Sequence, residues 1–291
     1  MSLSWPWHFM TVSDAEKQQR RELLDLRGFY AQCSIVVALV LVRLYKASSS
    51  AAPGTEKPAE RRSKRKPVEK SWLDSPPVAG WFETRRQYII CLLWLGWLLG
   101  LSVWNSGEDY LHFTKALGHV ALSQLPLQVL MSPALYLSPK PGSPSIVSVL
   151  TTVPQPVINS YHRLFGRLVI SPLLVAHAFL YSSFFLQSSH PDYSSLYAKR
   201  IRDPDVQWGV AAAAMATAVV LFARPAVMPR WVRWVKPTSA KARQQVFYIV
   251  HVLIVGVLEL AAYSHVSVAR VYIIESFVSS ALNFSCCWLF Q

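Results

Sequence analysis

The stretch Asn159–Tyr181 reads NSYHRLFGRLVISPLLVAHAFLY, and the spacing of its two histidines decides how the whole chain is read. His162 and His177 lie fifteen residues apart in an apolar segment. A second segment, Gln244–Val266 (QQVFYIVHVLIVGVLELAAYSHV), sets His251 and His265 fourteen apart. Both intervals are close to four helical turns, so each pair shares roughly one face, about 21–23 Å apart along the axis. That is about two-thirds or more of a hydrocarbon core roughly 30 Å thick. Two such helices side by side offer two stacked bis-histidine sites, one near each membrane face.

The rest of the chain agrees with a membrane setting. Of 291 residues 52% are apolar and only 15% charged, too apolar for an ordinary soluble protein. Seven runs are read as spans: Gly28–Leu44, Gln87–Trp104, Ala116–Leu137, Tyr161–Leu186, Gln207–Ala223, Val246–Val266 and Val271–Phe290. The fold class expected is all-α, a polytopic membrane helix bundle of about seven transmembrane helices, six forming a core and one preceding it. The organisation expected is an extramembrane segment at residues 1–27, a first anchor at 28–45, a basic disordered linker at 46–86 and the membrane domain at 87–291. No cleavable signal is evident before residue 28, which is largely polar and of mixed charge. Cys33, Cys91, Cys286 and Cys287 fall in apolar runs without CxxC or CxxCH spacing and read as small buried hydrophobes.

The net charge of +13 is concentrated in two loops. Lys46–Arg86 carries Arg61, Arg62, Lys64, Arg65 and Lys66; Arg224–Arg243 carries Arg224, Arg230, Arg233, Lys236, Lys241 and Arg243. That distribution fits the positive-inside bias, with contact to anionic membrane lipid as a secondary role, and argues against nucleic acid as a partner. Placing both loops in the cytosol puts the amino terminus outside and runs spans four and six in the same direction. His162 is then level with His251 near the cytosolic face, and His177 with His265 near the outer face. The register is imperfect. Fourteen steps fall roughly 40° short of four turns and fifteen overshoot by roughly 60°, so straight helices would aim the outer histidines about 100° apart. A π-bulge or kink near Pro172 would absorb the extra residue.

Ionisable residues inside a membrane are costly and usually functional, although a lone histidine there more often only bridges helices. Four in two similar pairs favour metal ligation. Neutral imidazole is a good axial ligand for haem iron, and two fill both axial positions. Zinc is a poor rival, because a tetrahedral cluster needs its ligands close together. His119 reads as a packing or interhelical hydrogen-bond residue, His112 and His190 as outer-loop residues, and His8 carries no signal. Trp94, Trp97 and Trp104 read as interface or packing residues.

These residues carry a family resemblance. The HR-x-x-GR start at His162–Arg167, the second histidine and trailing Tyr181 resemble the ferric reductase transmembrane domain. So do the F-x-x-x-H start at Phe247–His251 and the stretch LGHVALSQLPLQVLM at Leu117–Met131. That family includes fungal metalloreductases and NADPH oxidase subunits, and the likeness covers roughly Leu117–His265. It implies that His162, His177, His251 and His265 ligate two haem b groups, with Arg163 and Arg167 pairing inner-haem propionates or serving as positive-inside anchors. Lys241 and Arg243 are candidates for the same role or for facing a flavin domain. Gly166 would let the macrocycle approach or would serve helix packing. One departure is the fifteen-residue interval, where the family usually has thirteen or fourteen. Another is that no GxGxxG turn follows a strand pattern, so FAD and NADPH are expected only through a further domain or a flavoprotein partner. The function implied is oxidoreductase electron transfer to ferric or cupric ion, or to oxygen, across the plasma membrane or the endoplasmic reticulum. A haem-binding subunit dependent on a separate flavoprotein, and a non-redox scaffold, are the alternatives.

Overall fold

The computed structural model describes residues 7, 12–51, 71–133, 143–221 and 240–290. His8, residues 61–66 and the cations at 224, 230, 233 and 236 lie outside the described residues, as do the side chains of Lys241 and Arg243. Eleven helices in chain order make up the described fold: α1 (Asp14–Ala51), α2 (Arg85–Val103), α3 (Tyr110–Leu122), α4 (Leu125–Leu130), α5 (Ile146–Thr151), α6 (Gln155–Phe165), α7 (Ser171–Gln187), α8 (Leu196–Arg200), α9 (Pro204–Leu221), α10 (Ala240–His265) and α11 (Ala269–Leu289). No strand occurs among the described residues, and the protein is an all-α, multi-pass membrane bundle.

Among the described residues five helical rods are long and apolar enough to cross a membrane, against the seven expected. They are Asp14–Ser49, Arg85–Val103, Gln155–Gln187, Pro204–Leu221 and Gln244–His265. The other two expected spans are helical over much of their described residues but fall short for different reasons. Span three begins earlier, at Tyr110, where the Asp109 carboxylate caps the Leu111 N–H at 3.0 Å, and breaks at Ser123–Gln124, where Pro126 opens α4. Span seven is unbroken, but its inward face is polar. Tyr272, Ser276, Ser279 and Asn283 are all buried at helical spacing, while Ile274, Phe277, Val278 and Leu282 point outward. Apolar residues outside and polar residues inside is the pattern of a helix whose solvent is lipid.

The first helix also differs from expectation. It starts at Asp14 rather than Gly28 and runs through the boundary placed at residue 27. Ser13 and Glu16 form the capping contacts, with the Ser13 N–H on Glu16 Oε2 at 2.7 Å. Its polar residues are inward-facing partners: Arg27 is fully buried, with its guanidinium on the Trp104 carbonyl and 2.9 Å from His112 Nε2, and Arg20 pairs with Asp109. At 38 residues the rod is roughly 57 Å long and exceeds the hydrocarbon core. The described end of the basic linker is also ordered. A 3-10 turn at Trp72–Asp74 is tied to α2 by Arg86 on Asp74 at 3.0 Å and by Arg85 over the Trp72 ring.

The helices form a ring. α3 packs on α1, α2 and α7; α9 lies between α7 and α10; α11 closes against α10 and α4. Leu117, Val120, Leu164, Val169, Leu173 and Ile273 are among its fully buried apolar residues.

Candidate functional site

The histidines meet in pairs inside this ring. The rings of His162 and His251 have centroids 6.4 Å apart, and those of His177 and His265 are also 6.4 Å apart. The pairing follows the level-by-level order expected from the sequence. What restores the register is a π turn at Gly166–Ile170 joining α6 to α7. Ser171 donates its hydroxyl to the Gly166 carbonyl at 2.7 Å, supporting the backbone there just before Pro172. A π turn takes one residue more than an α turn, so fifteen residues on this rod match fourteen on α10.

Three of the four rings are oriented by a backbone carbonyl. His162 Nδ1 is 2.9 Å from the Gln128 oxygen, His177 Nδ1 is 2.7 Å from that of Thr114, and His265 Nδ1 is 2.5 Å from that of Asp205. A carbonyl only accepts, so each Nδ1 carries the proton and each Nε2 keeps a free lone pair. His251 is held differently, stacked on Phe247 one turn earlier with centroids 5.7 Å apart.

The seats around the second pair repeat one device. On α3, Thr114 gives the carbonyl and Gly118, four residues on, leaves room for the ring: a Cβ there would lie 3.0 Å from His177 Cγ. On α9, Asp205 gives the carbonyl and Gly209, again four residues on, makes the room: a Cβ would lie 2.6 Å from His265 Cε1. Tyr181 braces this end by accepting from Arg200 at 3.2 Å, and Arg200 also pairs with Asp205 at 3.1 Å. The first pair has no glycine seat. Gln128 holds His162 from both sides, its own carbonyl accepting from Nδ1 and its side-chain amide donating to the His162 carbonyl at 2.9 Å. Gly166 faces that same Gln128 amide, 3.0 Å from where a Cβ would be. Its small size therefore serves helix packing.

Arg163 and Arg167 are not left free at the first pair's end. Both point at one carboxylate, the buried Glu83, at 3.1 and 3.4 Å. Glu83 was missed in the sequence because nothing short of the fold brings the turn before α2 to the end of α6 and the π turn that follows it. His112, expected in a loop, is a buried residue of α3 against Arg27, since that helix begins two residues before it. His119 is an interhelical partner, 2.7 Å from the Tyr272 hydroxyl. His190 lies in the turn after α7, edge-on to the Tyr193 ring.

The donor set fits a metal that brings its own equatorial ligands. Among the described residues no three His, Cys, Asp or Glu side chains converge to hold a bare ion. Two imidazoles bound through Nε2 to one metal on bonds of roughly 2 Å would place their centroids about 6 Å apart. The observed separation in both pairs matches that span. α7 and α10 both pack on α9.

The family model for the ferric reductase like transmembrane component matches residues 117–262, half of the chain. The matched region contains His162, His177 and His251 and stops just before His265. No curated protein and no solved structure shows significant similarity to the chain.

Proposed function

The chain belongs to the ferric reductase-like transmembrane family, a membrane electron-transfer component of the oxidoreductase class, and from that premise we propose that it carries electrons across the bilayer through two haem b groups. His162 and His251 hold one group and His177 and His265 the other. The observation that carries this reading is the equal facing of the two histidine pairs, with three rings turned by backbone carbonyls so that Nε2 is free. Held by His162 and His251, and by His177 and His265, the groups would supply one-electron redox chemistry.

The protein's own part is orientation and surroundings. Thr114, Asp205 and Gln128 fix the tautomer and ring direction of their histidines, as outer partners of metal-bound histidine usually do. Leu173, Val169 and Leu117 keep water from the bundle interior, which holds charge transfer within the chain. With the basic loops in the cytosol, the His162 end is inner and the His177 end outer. Electrons enter at the inner end from a flavin-bearing domain or partner protein, and ferric or cupric ion, or oxygen, is reduced at the outer end. Arg163 and Arg167, which share the one carboxylate of Glu83 and keep a net positive charge, serve that inner mouth as an anchored cationic rim.

The test is a reduced-minus-oxidised visible spectrum with haem quantitation on the detergent-purified chain. A low-spin b-type signal at two haems per chain is expected, and His177→Ala is expected to remove the outer group alone. A chain that binds no haem when expressed with ample supply overturns the reading.

A further inference from the structure

On α3, one residue beyond the Gly118 seat of the second histidine pair and about 100° around the helix from it, lies a polar cluster that electron transfer does not use. His119 is buried, with Nε2 2.7 Å from the Tyr272 hydroxyl of α11 and 3.7 Å from Asp25 Oδ1 of α1. The Tyr272 hydroxyl reaches it only because residue 28 is glycine: a Cβ there would lie 1.8 Å from that oxygen. Tyr272 and Asp25 also line a crevice of about 440 Å³ between α1 and α11, together with Gln32 and Glu275, which are bonded to each other at 2.5 Å. Asp25 is well exposed, so the crevice side of the cluster is open while the imidazole side is closed. One residue earlier on α3, Gly118 touches the His177 ring.

We propose that His119 is a proton-binding site coupled to the outer histidine pair, loaded through Tyr272 from water in the α1–α11 crevice when that pair's cofactor is reduced. The inference rests on the two-haem reading. The exchange balances one electron against one proton. As the electron arrives, the Tyr272 O–H bond breaks toward His119 Nε2, and the tyrosine oxygen takes a proton from hydronium that has entered the crevice from bulk solution, leaving water. The new Nε2–H then donates to Tyr272, with Asp25 as the nearby countercharge. The charge added beside Gly118 is thereby offset at the next residue of α3, across a medium too apolar to screen it. The charged and titratable groups around His119 are Asp25 and Arg27 from α1, Tyr272 and Glu275 from α11, His112 and Lys115 on its own helix, and His177 beyond Gly118. Arg27 opposes a charge on His119 and Asp25 favours it. Without the crevice a structural hydrogen bond would explain the histidine; an open route ending on it is what a proton acceptor needs.

The experiment is redox titration of the full chain with bound haem in lipid nanodiscs between pH 5.5 and 8.5. The outer group is identified as the one lost in His177→Ala. Its midpoint is expected to fall as pH rises, by up to about 59 mV per pH unit for one proton per electron. In His119→Gln, with both haems retained, the slope is expected to vanish. Tyr272→Phe, which keeps the ring, is expected to move the pH range over which the slope appears. A pH-independent midpoint in the wild-type chain, or an unchanged slope in both variants, overturns the coupling while leaving the two-haem reading intact. Absence of haem overturns both.

Discussion

The two histidine pairs have the same ring separation and different construction. The second pair, His177 and His265, sits in two matching seats, each a carbonyl followed four residues later by a glycine, one on α3 and one on α9. The first pair has no such seat: His162 is gripped twice by Gln128, and His251 leans on Phe247 of its own helix. One end is thus shaped by the absence of side chains and the other by their presence. The ends should therefore break under different substitutions.

The largest effect is expected at the glycine seats. Gly209→Val places atoms within the His265 ring, on a helix backbone that cannot easily withdraw, and overpacking of this kind typically costs about 1–3 kcal/mol. Haem content should fall from two per chain to one, with the first pair's spectrum intact. Loss of both signals would mean that the ends are not independent.

Next in size is a paired insertion and deletion in the π turn. One alanine added after Leu168 advances His177 by about 100° and should abolish the second site. Removing Leu168 leaves a fourteen-residue interval like that of α10 and should preserve it, as a regular α turn replaces the π turn. If the deletion is as damaging as the insertion, the register account of the π turn is wrong.

Glu83→Gln tests the first end alone. It leaves Arg163 and Arg167 without their shared carboxylate; the arginines are partly exposed, so a cost of about 1–2 kcal/mol is expected. Thermal unfolding followed at the haem band should shift, while the second pair's content stays constant. The smallest effect is expected for Ser171→Ala, which removes one hydrogen bond to the Gly166 carbonyl and about 0.5–1.5 kcal/mol. The same melting curve reads it.

Legibility differed by residue. The four histidines and their pairing order were visible because helical spacing and loop charge are local properties of the chain. So was the need for a distortion near Pro172, a matter of counting degrees. The placement of the distortion at Gly166–Ile170, before the proline, was not. Span seven was visible as a helix, but its buried Tyr272, Ser276 and Asn283 became meaningful only beside their partners. Ser276, for example, donates to the buried Glu259 of α10 at 2.6 Å. The polar start of α1 looked extramembrane, because a charged residue reads as solvent-facing until its partner is known. Arg27, with His112 and the Trp104 carbonyl beside it, is buried instead.

The sequence by itself determined the membrane class, the helical segments and the spacing that makes a pair of histidine levels, since apolar length and periodicity act along one chain. Only the tertiary structure decided which carbonyl turns each ring, which glycines make room for it, and where Glu83 and His119 end up. Those depend on the meeting of residues 34 to 153 positions apart, and helix-to-helix distances of that kind are set by packing in three dimensions rather than by any local preference.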